Sequence, residues 1–143
     1  MIIAIDFDGT CVTHEFPQVG HDIGAVPVLK ALVEQGHHLV LFTMRSDVVN
    51  PSGGDPELHL ESGNYLTDAL YWFKQKGIPL YGVQTNPTQH TWTTSPKAYA
   101  QLYIDDAALG CPLLHVPEYS SRPFVDWSTV SLLLNERGIL SRI

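Results

Sequence analysis

The chain has 143 residues, 44% hydrophobic and 16% charged, with a net charge of −7 from 15 acids and 8 bases. That length suits a single domain over residues 1–143 with one core, and no apolar run reaches the roughly 18 residues that span a bilayer. The acidity opposes strong nucleic-acid binding, which needs a basic face to release counterions. Acidic residues by position 6 do not fit a signal peptide, so a cytoplasmic protein without a membrane anchor is expected. Cys11 and Cys111 are too far apart in sequence for a metal-binding pair and make no disulfide framework; reduced packing thiols are expected.

The opening MIIAID is continuously apolar rather than alternating, as in a buried strand of a parallel sheet. It runs into DFDGT, where only Phe7 separates Asp6 from Asp8. Two carboxylates about 4 Å apart repel by ~1 kcal/mol in water and ~4 kcal/mol at a partly screened site. GAVPVLKALVEQG places Val26, Leu29, Leu32 and Val33 at helical spacing and stops at Gly36. HHLVLFT is a second buried strand, ending at Thr43; its His37 and His38 lead into the strand rather than ligate a metal. A loop over 47–61, rich in Gly, Pro and Asp, precedes NYLTDALYWFKQKG, a helix with Leu66, Ala69, Leu70 and Phe73 on one face and Gly77 closing it. Its LYWF cluster at 70–73 reads as core. IPLYGVQ, QLYIDD and CPLLHV are short strands, and DWSTVSLLLNERG is a last helix with Asp126 as its cap.

Strands alternating with helices predict a layered α/β fold whose sheet is mainly parallel. Ligands in such folds sit beyond the carboxyl ends of the strands. Polar residues stand at three of those ends: Asp6 and Asp8, Thr43, and Asp105 with Asp106; Lys97 lies eight residues before Asp105. Carboxylates converging from two strands make a hard, oxygen-rich pocket suited to Mg²⁺. Such an ion would answer the Asp6–Asp8 repulsion and attract phosphate oxygens. One carboxylate could then attack phosphorus, and the other move the protons. Thr43 and Lys97 could hold the phosphoryl oxygens as charge develops. These parts suffice for hydrolysis of a phosphate ester.

The sequence resembles the haloacid dehalogenase-like (HAD) phosphohydrolase superfamily. Four motifs carry the likeness in order from residue 2 to about 110: DFDGT after a strand, LVLFTMRS around Thr43, Lys97, and the acidic pair of YIDDAALG. The resemblance implies a three-layer Rossmann-like fold around a sheet of about five strands. It implies Asp6 as nucleophile, Asp8 as acid and base, and an aspartyl-phosphate intermediate. Thr43 and Lys97 would bind the phosphoryl group, and Arg45, just past Thr43, could touch substrate. The metal would be Mg²⁺, held by Asp6, by Asp8 through its backbone carbonyl, and by Asp106 directly, with Asp105 as its partner through water or Lys97. Family dehalogenases lack the second Asp of the first motif, so Asp8 points to a phosphatase.

Only 34 residues separate Asp8 from Thr43 and 53 separate Thr43 from Lys97, too few for a full cap domain. In the family this is associated with large substrates or with closure by a partner subunit. The 47–61 loop is a candidate lid, with Gly53-Gly54 permitting motion. A polynucleotide end phosphatase, a receiver-like module and a non-catalytic phosphate-binding relative are the competing readings. The net charge opposes the first, the order of the acidic motifs the second, and retention of both Asp6 and Asp8 the third. Trp92, in polar QHTWTT, either packs over a loop or lines the pocket entrance. The phosphorylated substrate and any homo-oligomer are left open.

Overall fold

The two apolar runs that open the chain's first half lie side by side. In a computed structural model describing residues 1–48 and 61–141, β1 (Ile2–Ile5) pairs in parallel with β2 (His38–Leu41), Ile3 opposite Leu39 and Ile5 opposite Leu41. On its other side β1 pairs in parallel with β6 (Leu102–Ile104), Ala4 opposite Tyr103 and Ile5 opposite Ile104. Beyond β2 lies β5 (Gly82–Val83), so the central sheet has the order β5-β2-β1-β6. β1 is flanked on both edges and covered on both faces, which is why its sequence is apolar without alternation.

Alternate residues of β1 face opposite ways. Ile3, Ile5 and Phe7 join Leu39, Leu41 and Ile104 in one buried cluster with side chains from three helices. α1 (Ala25–Glu34) brings Val28, Leu29 and Leu32, α2 (Tyr65–Lys76) brings Ala69, Trp72 and Phe73, and α3 (Trp127–Glu136) brings Trp127, Val130 and Leu134. Each fully buried apolar side chain contributes roughly 1.5–3 kcal/mol. Phe7 reaches furthest towards the carboxyl edge, its ring centroid 5.6 Å from Trp72 and 6.0 Å from Phe73. On the opposite face Ala4 and Val40 are equally buried. There the chain between β5 and β6 forms the third layer, with a short 3-10 turn at Gln89–Thr91 and Tyr103 donating its hydroxyl to the Ala98 carbonyl.

The three helices fall on the predicted segments. Gly77 closes α2 in the left-handed conformation at φ 70°, and Asp126 caps α3 by accepting from the Thr129 N–H. The CPLLHV segment departs from the reading of a fifth strand in the main sheet. Its β7 (Leu113–Leu114) pairs antiparallel with β8 (Phe124–Val125) in a separate ribbon, leaving four strands in the central sheet among the described residues. The reason is visible in its burial: Leu113 and Leu114 are both 44% exposed, which no strand enclosed in a parallel sheet would be. At the ends of the 47–61 loop, β3 (Asp47–Val48) pairs with β4 (Gly63–Asn64); its residues 49–60, with Gly53-Gly54 and the lid reading they carry, lie outside the described residues. Among the described residues no helix is long and apolar enough to cross a membrane.

Candidate active site

Beyond Ile5 the chain turns sharply, and the N–H groups of Thr10 and Cys11 both donate to the Phe7 carbonyl at 3.0 and 2.8 Å. Gly9 makes the turn at φ +81°, and a Cβ there would fall 1.9 Å from His14 Nε2. Glycine is therefore required twice over, by backbone conformation and by the approach of a ring. The turn is braced from the far end of the chain: Val125 N–H donates to the Gly9 carbonyl at 2.9 Å, and the buried Trp127 indole N–H to the Thr10 carbonyl at 2.7 Å.

Three carboxylates meet at this edge. Asp6, Asp105 and Asp106 each offer an oxygen, all within 4.8 Å of one another. Thr10 ties two of them together. Its hydroxyl donates to Asp6 Oδ2 at 2.8 Å, stands 3.2 Å from Asp106 Oδ1, and accepts the Asp106 N–H at 3.0 Å. His14 Nε2 lies 2.8 Å from Asp106 Oδ2, and Asp105 Oδ1 accepts the Ala107 N–H at 2.8 Å. Burial pushes the Asp6 carboxyl up to about 8, and its hydrogen bond with Asp106 pushes the same way. For Asp106 burial acts upward too, but hydrogen bonds from Asp6 and His14 outweigh it and hold the group below the usual carboxylate range. Asp105 is raised, chiefly by burial. The pair thus keeps a proton on Asp6 and the charge on Asp106.

Asp8 takes a different partner. Arg45 Nε donates to its Oδ2 and Nη2 to its Oδ1, both at 2.8 Å. The same guanidinium donates to the carbonyls of Pro17, Gln18 and Tyr65 and lies between the Phe7 and Phe16 rings, 5.1 Å from each centroid. The expectation that Arg45 touches substrate is corrected by this geometry. Its five donors are all engaged within the protein and the side chain is buried. Asp8, expected at the metal through its backbone carbonyl, adds no carboxylate oxygen to the group of three.

Thr43 lies two residues past the end of β2, which stops at Leu41 rather than at Thr43. Its hydroxyl oxygen accepts the Arg45 N–H at 3.1 Å, which leaves the hydroxyl proton free to be donated. Gln84 holds this corner: its side chain accepts the Thr43 N–H at 2.9 Å and donates to the carbonyls of Thr43 and Arg45 at 2.6 and 3.1 Å. To do so it adopts a left-handed φ of 65°. Lys97 is exposed, its Nζ 5.7 Å above the Tyr103 ring, and no ion pair joins it to Asp6, Asp105 or Asp106. Cys11 and Cys111 are free thiols, and Cys11 donates its S–H to the Asp6 carbonyl. His37 bridges the N-terminal amine and the Ile139 carbonyl, a structural role.

Thr10, His14, Gln84 and Trp127 are the residues that sequence reasoning left without a role. Thr10 stood inside DFDGT, and Gln84 at a strand's carboxyl end, where the rule for open α/β sheets points. His14 and Trp127 carried no sequence signal.

No family model matches the chain, and no curated protein does. A solved structure of a conserved protein from Bacteroides thetaiotaomicron is 30% identical, with a TM-score of 0.68. The likeness covers 96% of this chain and 91% of that one. The chain belongs to the family of that conserved protein. The shared extent is nearly end to end.

Proposed function

We propose that the protein is a Mg²⁺-dependent phosphomonoesterase, a capless HAD-type phosphatase, with Asp6 as the nucleophile. The observation that carries the reading is the meeting of Asp6, Asp105 and Asp106 oxygens within 4.8 Å at the carboxyl edge of a parallel sheet. An all-oxygen, anionic donor set fits a hard divalent cation. Asp6, Asp105 and Asp106 would hold it by their side chains. Bound there, Mg²⁺ would favour the ionised carboxylates and offset the charge of the phosphoryl oxygens.

The chain's own groups then supply the rest. An ionised Asp6 oxygen attacks phosphorus, the bond from phosphorus to the ester oxygen breaks, and that oxygen leaves with the electron pair. Asp8 protonates it. Each Asp8 oxygen accepts one hydrogen bond from Arg45, so the proton Asp8 delivers is carried on a remaining lone pair and is restored when water attacks. Water then attacks the aspartyl phosphate, giving its proton to Asp8, and the Asp6–phosphorus bond breaks to release inorganic phosphate. Thr43 donates its hydroxyl, and Lys97 its ammonium, to the phosphoryl oxygens. Thr10 and His14 orient Asp6 and Asp106 throughout.

The test is hydrolysis of p-nitrophenyl phosphate with and without MgCl₂, for the wild type and for Asp6→Asn. Metal-dependent turnover that the substitution abolishes is expected. Turnover that survives Asp6→Asn would overturn the assignment of the nucleophile.

A further inference from the structure

We propose that the hollow formed by the chain between β5 and β6 is the leaving-group pocket of this site, taking a planar aromatic or heteroaromatic ring carried by a small phosphate ester. The inference rests on the phosphomonoesterase reading and names its substrate class.

The hollow has a volume of about 240 Å³ and is lined by Trp92, Thr93, Ser95, Lys97, Tyr99 and Tyr103. Trp92 is 62% and Tyr99 45% exposed, and the two rings meet edge to face with centroids 5.2 Å apart. Large aromatic surface left open in a concavity is where a ligand ring gains most by stacking. Lys97 hangs its ammonium above the Tyr103 ring at the same place, so a cation stands beside the aromatic wall. An ester with a ring and an anionic group matches both.

The hollow is built rather than incidental. The segment has almost no regular structure, and two buried side-chain amides hold its shape. Gln89 Oε1 accepts the N–H groups of Asn86 and Tyr99, while its Nε2 donates to the carbonyls of Ser95 and Lys97. Asn86 Nδ2 donates to the Tyr99 carbonyl, and its Oδ1 accepts from the Thr88 N–H and hydroxyl. The residues so fixed, Ser95, Lys97 and Tyr99, are themselves part of the wall. A ring entering such a wall loses little to reorganisation.

Its placement joins it to the carboxylates. Tyr103 pairs with Ala4 in the sheet, and two residues further along each chain, just past the strand ends, come Asp105 and Asp6. Two strand residues are about 7 Å. A ring carried one sugar's length from phosphorus spans that separation.

The experiment is calorimetry on the full chain in an Asp6→Asn background, which cannot form the phosphoenzyme, with MgCl₂ present. Adenosine 5′-monophosphate is compared with ribose 5-phosphate, which lacks the ring. The nucleotide is expected to bind at least tenfold more tightly. That ratio should fall to about one in Trp92→Ala and in Tyr99→Ala, and return in Trp92→Phe, a recovery that a merely damaged fold would not give. A ratio near one without these substitutions, a ratio that persists in both alanine variants, or no measurable nucleotide binding overturns the pocket. Hydrolysis of both esters by the wild type is measured separately. Retention of the binding ratio without hydrolysis of either would overturn the phosphomonoesterase reading and leave ring binding standing.

Discussion

Arg45 grips both carboxylate oxygens of Asp8 at 2.8 Å while its remaining donors close on three backbone carbonyls from two other segments. The guanidinium is thus the joint between the first motif, the 16–18 loop and the start of α2. Removing one partner of a buried pair leaves the other uncompensated, which costs about 3–5 kcal/mol. Arg45→Met is expected at the lower end, because Asp8 keeps some contact with solvent. Arg45→Lys should recover less than half of the loss, since an ammonium cannot reproduce the planar fork. Urea denaturation reads both. A stability within 0.5 kcal/mol of wild type for Arg45→Met, roughly the scatter of an ordinary surface change, would refute the clamp.

Gly9 and His14 make a second test of the same loop. Gly9→Ala combines a left-handed φ, costing roughly 1–2 kcal/mol for a residue with Cβ, with a collision against the His14 ring. Placed in a His14→Ala background, Gly9→Ala should cost only the backbone share. Denaturation of the two single variants and the double variant measures the difference as a coupling energy.

The acidic pair sets a pH dependence in the metal-free chain. Asp6 titrates at about 8 when folded against an ordinary 3.8. Between those values the folded chain holds more protons at Asp6 than the unfolded chain, so the Asp6 contribution to stability is full below 3.8 and is lost as pH rises through 8. Asp106 is shifted downward, so its contribution is present above 3.8 and is lost only as pH falls below that. The two windows do not overlap. Denaturation midpoints in chelator should therefore decline from about pH 4 to about pH 8, and Asp6→Asn should flatten the decline. A wild-type midpoint that rises across the interval would contradict the assignment.

His14 does not touch the Asp6 or Asp105 oxygens in any hydrogen bond of the site; it acts on Asp106. Partners that orient a ligating carboxylate typically matter 10–100-fold in metal affinity. Under the proposed Mg²⁺ reading, His14→Ala is expected to weaken Mg²⁺ binding within that range, and His14→Gln, which keeps a donor, to lie between. Calorimetry with MgCl₂ alone checks this without turnover.

Gln84 offers a sharper chemical contrast. Its amide nitrogen faces two carbonyl oxygens, so Gln84→Glu would set a carboxylate against both. Gln84→Glu should be more destabilising than Gln84→Met, by at least about 1 kcal/mol. The opposite order in thermal or chemical melts would mean that the amide is placed the other way round.

Much of the frame was legible because it depends on local pattern. Continuous apolar runs marked β1 and β2, helical spacing marked α1 and α2, Gly77 marked the end of α2, and Asp126 marked the start of α3. The rule that strand ends carry function placed Asp6, Thr43, Asp105 and Asp106 on one edge, and the sheet order β5-β2-β1-β6 puts their strands side by side there. CPLLHV misled because a short apolar segment reads alike whether it is enclosed in a sheet or left half exposed in a ribbon.

What the sequence determined by itself was the alternation of strands and helices and the inventory of acidic and hydroxyl groups beyond the strands. What only tertiary structure decided was the partner each group takes. Asp6 and Asp8 stand two residues apart, yet one meets Asp106, Asp105 and Thr10 while the other is bound by Arg45. The turn that presents them is pinned by Val125 and Trp127, more than a hundred residues away. Propensity and periodicity act over a few neighbouring residues, whereas hydrogen bonds and ion pairs depend on distances that exist only once distant segments have packed.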